Sequence, residues 1–127
     1  MRIAFLLVAL PLLAAAAPSI GATPIVEVHM TNFRFTPATI PLARGQAYVL
    51  RLVNDARGGH NFVASDFFAG IQVASPDRAL IRDGAVEVPG GEARTIHFVA
   101  PAAGRYKVRC THRLHSAFGM KGAIIVR

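Results

Sequence analysis

Near its C-terminal end the chain reads Gly104-Arg-Tyr-Lys-Val-Arg-Cys110-Thr-His-Arg-Leu-His115-Ser-Ala-Phe-Gly-Met120. The residues from Arg105 to Cys110 alternate between apolar and polar side chains, which predicts a β-strand with one buried face. The residues after Cys110 lead, as a loop, to a final predicted strand over residues 122–126. The only cysteine of the chain therefore ends a strand, and a histidine and a methionine lie in the loop behind it.

This loop carries an unusual set of metal-binding side chains. Cys110, His115 and Met120 offer one thiolate, one imidazole and one thioether within eleven residues. A soft thiolate, two imidazoles and a weak thioether form the ligand set that favours copper as an electron-transfer centre. The segment is one imidazole short of that set. Metal ligation or deep burial would also protect the Cys110 thiol from oxidation if the protein works outside the cytosol.

The missing imidazole has to come from another part of the chain. The further histidines are His29, His60, His97 and His112. His60 is the candidate that follows a predicted loop, residues 54–59, and two glycines precede it and allow close backbone approach. His112 competes with His115, although it would have to fold back sharply because only one residue separates it from Cys110.

The pattern outward from this segment is β throughout. Strand signals occur at residues 24–30, 38–42, 47–53, 60–65, 85–88 and 93–100, with glycine and proline turns between them. Many short strands at regular spacing predict an all-β fold, a Greek-key β-sandwich or barrel. Residues 67–83 fit either a short helix around 77–81 or an irregular excursion. Alternating aromatic residues are expected in the core: Phe33, Phe35, Phe62, Phe98 and Tyr106.

The N-terminal segment predicts a secretory signal peptide over residues 1–22. Met1 and Arg2 give a basic start, residues 3–17 are almost wholly apolar, and small residues follow. The apolar run is shorter than the roughly 20 residues that span a bilayer as a helix. Cleavage is expected after Ala22, with the alanines at 14–17 as a second site and a retained anchor as the alternative. Residues 23–127 then form one domain in the periplasm, with no membrane span after processing.

The formal net charge of the chain is +7. A basic surface favours acidic partners and speeds their encounter at low salt. Nucleic acid is not expected as a partner, because the lysines and arginines are spread singly and export argues against it. We expect a monomer that meets redox proteins through their acidic docking surfaces.

Three pieces of the sequence together resemble the cupredoxin family, the small blue copper proteins. They are Val53-Asn-Asp through His60-Asn61-Phe, the strand containing Gly104-Arg-Tyr106 and ending in Cys110, and the pair His115 and Met120. The likeness runs from about residue 25 to the C-terminus. The Cys-x4-His-x4-Met spacing is similar to that of rusticyanin and auracyanin.

The resemblance implies a ligand set and a function. His60, Cys110 and His115 would form a trigonal copper site, Met120 would be a long axial ligand, and Asn61 would tie the two ligand loops together. One copper ion would cycle between Cu(I) and Cu(II), and the protein would carry single electrons rather than act as an enzyme. A copper-binding delivery or resistance protein on the same fold is the alternative.

Overall fold

The computed structural model describes residues 21–127. Ten strands are present in this range: β1 (Ile25–Thr31), β2 (Arg34–Thr36), β3 (Thr39–Leu42), β4 (Ala47–Asn54), β5 (His60–Val63), β6 (Gln72–Val73), β7 (Ala85–Val88), β8 (Ala93–Val99), β9 (Gly104–Arg109) and β10 (Lys121–Val126). Helix α1 (Ser65–Gly70) and a 3-10 helix (Ser75–Leu80) lie between β5 and β7. None of the helices in this range is long and apolar enough to cross a membrane. The predicted signal peptide lies outside the described residues, apart from its last two positions.

The strands form two sheets of five strands each. Sheet 1 has the order β2-β1-β4-β8-β6, and sheet 2 has the order β3-β10-β9-β5-β7. Neighbouring strands are antiparallel except for the pairs β1 with β4 and β3 with β10, which are parallel. The predicted all-β sandwich is confirmed, and its sheets are separate rather than closed into a barrel.

The core fills the space between the inner faces of the two sheets. Along β4, Tyr48, Leu50 and Leu52 are buried while the intervening residues are more exposed, the period-two pattern of a strand with one inner face. Phe62 of β5 is fully buried and packs edge-on against Phe35. Burial of one such side chain contributes about 1.5–3 kcal/mol, so the alternating residues hold the sheets together.

The connection between β5 and β7 differs from the prediction. The strand expected over 60–65 ends at Val63, because the chain enters α1 and buries Phe67 and Phe68 against the core. The helix expected around 77–81 lies earlier, over Ser75–Leu80, where a proline occupies the first turn. Asp77 anchors it to β8 by accepting a hydrogen bond from the backbone N–H of His97, at 2.7 Å.

Phe33 is not a core residue, and this prediction was wrong. Residues 32 and 33 form the turn between β1 and β2, and Phe33 has a φ of 62°. The turn breaks the alternation on which the prediction rested, so the side chain points outward and is 41% exposed. Tyr106 is half-buried, packs against the core and donates its hydroxyl to the carbonyl oxygen of Ala102 at 2.7 Å.

One end of sheet 2 gathers the predicted ligands. Strands β5 and β10 run antiparallel to β9 between them. Consequently β5 begins, β9 ends and β10 begins at the same end of the sheet. His60, Cys110 and Met120 lie at these three positions, and we call this the ligand end.

Candidate metal centre

The loop before His60 is held by the buried side chain of Asn54. Its Nδ2 donates to the carbonyl oxygens of Gly58 and Val88, both at 2.9 Å. Its Oδ1 accepts the backbone N–H of Ala56 at 3.0 Å. A buried amide with these bonds satisfied fixes the backbone around it. Asn54 therefore determines where the loop delivers His60 at the start of β5.

Three side chains from two loops converge at the ligand end. The Nδ1 atoms of His60 and His115 lie 3.0 Å apart. Cys110 Sγ lies 3.3 Å from His115 Nδ1 and 3.8 Å from His60 Nδ1. Among the described residues, these three form the single cluster of at least three histidine, cysteine or acidic side chains spaced to hold a metal ion.

The spacing of these atoms fits a trigonal metal site. With metal–nitrogen bonds of about 2.0 Å and metal–sulfur bonds of about 2.3 Å, trigonal ligand atoms lie about 3.5–3.7 Å apart. The observed separations of 3.0–3.8 Å are close to these values. His60 Nε2 is buried with no hydrogen-bond partner among the described residues. The polar contacts of the His60 ring in this part of the chain therefore run through Nδ1, toward the other two groups.

Burial differs among the three side chains of the cluster. Cys110 and His60 are almost fully buried, whereas His115 is half-buried and reaches the surface. Burial is the main cause that lowers the pKa of His60, and the neighbouring His115 and His112 lower it further, against an opposing effect of Glu87. Metal ligation requires the neutral imidazole. His60 is therefore held in the form that a metal ion needs.

The loop from residue 111 to 119 folds as a series of turns that returns Met120 to Cys110. The N–H of His115 donates to the carbonyl of His112, and the N–H of Met120 donates to the carbonyl of His115, both at 3.0 Å. The N–H of Cys110 donates to the carbonyl of Met120 at 3.1 Å. Met120 is fully buried. These backbone hydrogen bonds place Met120 beside Cys110 and His115.

A family model described as a cupredoxin-like domain matches residues 2–126 of the chain. This protein belongs to the cupredoxin-like family. Auracyanin from Roseiflexus castenholzii, solved in the dithionite-reduced state, is 25% identical, with a TM-score of 0.61 over 84% of this chain and 99% of its own. Auracyanin B is 27% identical, with a TM-score of 0.60 over 85% of this chain and 93% of its own.

A relative from Rubrivivax gelatinosus, named the copper-resistant cuproprotein CopI, is 33% identical over 108 residues. The match covers 80% of this chain and 66% of the relative. This cupredoxin-like protein therefore spans a little under two thirds of that relative's length, and the relative contains sequence for which the chain has no counterpart in the match.

In this cupredoxin-like chain, Asn61 joins the two loops that carry the cluster. Its Oδ1 accepts the backbone N–H of Thr111, and its Nδ2 donates to Thr111 Oγ1, both at 2.8 Å. Asn61 follows His60 and Thr111 follows Cys110, so this two-point bridge fixes the separation of those ligand groups. The tie implied by the resemblance is present.

His112 lies beside the cluster but is not part of it. Its ring stacks on His115 with 5.6 Å between centroids, and its Nε2 lies 2.6 Å from Glu87 Oε1. The backbone of Gly59 approaches this ring closely, and a Cβ atom on Gly59 would lie 3.2 Å from His112 Cε1. His29 and His97 lie elsewhere, each beside a carboxylate.

Two residues beside the site, Glu87 and Phe33, were not predicted from the sequence to lie there. Glu87 lay in a predicted strand, and only the pairing of β5 with β7 brings it to His112. Phe33 packs edge-on against His115 at 5.2 Å and lies 5.2 Å from Phe118. Its position next to Asn32 hints at a turn, but no local signal says that this turn lies over the ligand end.

Proposed function

We propose that this protein is an exported mononuclear type 1 copper protein that carries single electrons between redox partners. The observation that carries the proposal is the convergence of His60 Nδ1, His115 Nδ1 and Cys110 Sγ within 3.8 Å of one another. One thiolate and two imidazoles, with a weak thioether, form the donor set of an electron-transfer copper site. Copper bound there would supply a one-electron couple between Cu(I) and Cu(II).

The residues of the chain divide the remaining tasks. His60 and Cys110 hold their ligand atoms in a buried setting, and Asn61 fixes the distance between them. Met120 is assigned the axial position, because its backbone bonds hold it against Cys110 and His115. His115 reaches the surface and is assigned the electron exit. We infer that the protein carries electrons and is not an enzyme.

The exposed surroundings of His115 support contact with another protein. Phe33, Leu114 and Phe118 are 41%, 58% and 63% exposed around the ligand end. Apolar side chains that surround an exit group suit the desolvated centre of a protein interface. The basic leader and apolar segment at the N-terminus support export, and we assign the protein to the periplasm.

A second candidate function is copper delivery or resistance on the same fold. It is supported by the similarity to a copper-resistant cuproprotein. The chain carries Met1, Met30 and Met120 and no histidine-rich tract. Met30 is buried in sheet 1. Exposed methionine clusters that would pass Cu(I) onward are therefore lacking in the described part of the chain, which favours electron transfer.

Redox cycling separates the two functions. The copper-loaded protein is reduced with ascorbate, incubated with a Cu(I) chelator such as bathocuproine disulfonate, and reoxidised with ferricyanide. An electron carrier retains its copper through the cycle and recovers its visible absorption. Rapid loss of the reduced metal to the chelator would contradict the carrier and support delivery.

A further inference from the structure

The outer face of sheet 2 carries a row of exposed cations. Arg105, Lys107 and Arg109 alternate along β9, and Lys121 of β10 lies directly opposite Arg109. All four side chains are exposed. None of them takes part in an ion pair within residues 21–127. We call these four residues the basic strip.

Two arginines of sheet 1 are paired with carboxylates, whereas Arg34 of β2 is exposed and makes no ion pair within residues 21–127. Arg51 of β4 pairs with Glu27 at 2.5 Å, and Arg94 of β8 pairs with Glu92 at 2.9 Å. Asp66 of α1 borders the same surface hollow as Lys107 and Arg109 but forms no ion pair with either. The strip therefore presents a positive charge that the described part of the chain does not neutralise.

The closest pair in the strip is unfavourable for the isolated fold. Arg109 and Lys121 occupy opposite positions of an antiparallel pair and share one face. Like charges directly opposite each other destabilise a sheet. A carboxylate-bearing surface placed over both side chains would remove this repulsion and add attraction.

The strip also has a definite position relative to the ligand end. Arg109 directly precedes Cys110, Lys121 directly follows Met120, and Arg105 lies at the far end of β9. Ser116 of the loop borders the same surface hollow as Lys107, Arg109 and Lys121. A surface bound along the strip therefore lies beside the loop, whose exposed apolar residues include Leu114 and Phe118. Charged groups at a rim beside an apolar centre are the usual composition of a protein interface.

We propose that the basic strip is the docking surface for a carboxylate-rich face of a redox protein. Its consequence for electron transfer rests on the proposed copper function, because docking along β9 would bring the partner beside His115. Attraction between the strip and the carboxylates would speed association at low salt and fade as the ionic strength rises. Docking itself depends on these side chains and not on copper.

The test is a titration with a ten-residue glutamate peptide, followed by amide NMR at low ionic strength on both the metal-free and the copper-loaded protein. Amides of β9 and of the start of β10 should shift, whereas those of β1 and β4 should not. The double variant Lys107→Glu/Arg109→Glu should weaken binding by about tenfold or more. Shifts centred on sheet 1 would overturn the proposal.

Arg44→Glu is the matched control. Arg44 is exposed in the turn after β3, at the opposite end of sheet 2, and makes no ion pair in the described part of the chain. Doubled with Arg127→Glu, it changes the net charge as much as the strip variant does. Binding should then fall by less than about twofold. Equal losses in both variants would reduce the effect to net charge and overturn the proposal.

A measurement of thermal stability shows whether a loss of peptide affinity is caused by a destabilised fold. Lys121→Glu turns the like-charged pair with Arg109 into an opposite pair. Its thermal unfolding midpoint should not fall, while its affinity for the glutamate peptide should. A lowered midpoint that accounts for the lost affinity would contradict the docking role.

Three further outcomes separate the docking surface from a membrane contact and from the copper function. Binding to vesicles containing phosphatidylglycerol that is tighter than binding to the peptide would make the strip a membrane contact and overturn the proposal. If the protein fails to hold copper yet binds the peptide through the strip, the copper function fails and the docking surface stands. If it holds copper but the peptide does not contact the strip, only the docking surface fails.

Discussion

On the outer face of sheet 1, histidines and arginines lie against carboxylates, whereas at the ligand end of sheet 2 the imidazoles of His60 and His115 face a thiol. His29 lies 2.6 Å from Asp55 and 2.8 Å from Glu27 in sheet 1. Exposed ion pairs of this kind add little to the stability of the fold. Much of the charge on sheet 1 is thus paired within the fold, with Arg34 of β2 as an exception in the described range. Sheet 2 carries both the predicted ligand cluster and the basic strip, which other species would complete.

The largest expected effect is the difference in copper affinity between histidine variants at the ligand end and a histidine variant in sheet 1. His60→Ala and His115→Ala each remove a cluster nitrogen and should lower copper affinity by more than about 100-fold, since even supporting residues cost 10–100-fold. His97→Ala, which removes an exposed imidazole of sheet 1, should leave the affinity unchanged. Competition with a chelator of known affinity measures all three.

His112→Ala decides between the competing loop histidines. The ring stacks on His115 without joining the cluster, so this variant should keep its copper and its visible absorption. If His112→Ala loses copper while His115→Ala retains it, the two residues have been assigned the wrong way round.

Asn61→Ala should have the next largest effect. It removes both hydrogen bonds to Thr111 and thereby loosens the separation of the ligand loops. A loss of about 10–100-fold in copper affinity is expected, as for other groups that orient metal ligands. Asn32→Ala, in the β1–β2 turn, is the control. An Asn61→Ala variant with unchanged affinity and spectrum would show that the bridge is dispensable.

A backbone contact between the loops gives a smaller effect. A Cβ atom on Gly90 would lie 2.0 Å from the carbonyl oxygen of Arg57, whereas one on Gly58 would meet nothing within 4 Å. Gly90→Ala should therefore destabilise the fold by about 1–3 kcal/mol, and Gly58→Ala by much less. Urea unfolding of the metal-free variants measures the difference, and equal stabilities would contradict the described packing of these loops.

The smallest effect is the pH dependence of sheet 1. Hydrogen bonds to Asp55 and then to Glu27 raise the pKa of His29. Its contribution to stability is fully present below the unfolded value of about 6.5 and is lost as the pH rises through the raised folded pKa. Asp55→Asn should lower the His29 titration midpoint in NMR and weaken the fold more at pH 6 than at pH 9.

Asp83→Asn serves as the control for this titration. Asp83 has a φ of 51°, which asparagine tolerates, and it makes no ion pair within the described range. It should leave the His29 midpoint where it is. An Asp55→Asn variant with an unshifted midpoint would contradict the arrangement of charges on sheet 1.

The sequence predicted most of the strands because their alternation is local. Gly104 to Met120 predicted both a strand and the loop behind it, and β9 and the turns after Cys110 agree with this. The glycines before His60 indicated that the backbone there could approach its neighbours closely. These signals need no knowledge of the partner strand.

Long-range pairing explains what the sequence did not predict. Phe33 alternates correctly with Phe35, yet the turn at residues 32 and 33 turns its side chain outward to His115. Glu87 reaches His112 only because β7 pairs with β5. Similarly, the basic residues are spread singly along the sequence. Only the pairing of β9 with β10 places Lys121 opposite Arg109.

The proposed function depends on Cys110, His60 and His115 together holding one copper ion, with the thiolate of Cys110 as a ligand. The most direct test is to add Cu(II) to the purified protein and to Cys110→Ser, and to record the visible spectrum and the bound copper. One copper per chain should bind, with intense thiolate-to-copper charge-transfer absorption that Cys110→Ser abolishes. A colourless copper complex, or absorption that survives in Cys110→Ser, would contradict it.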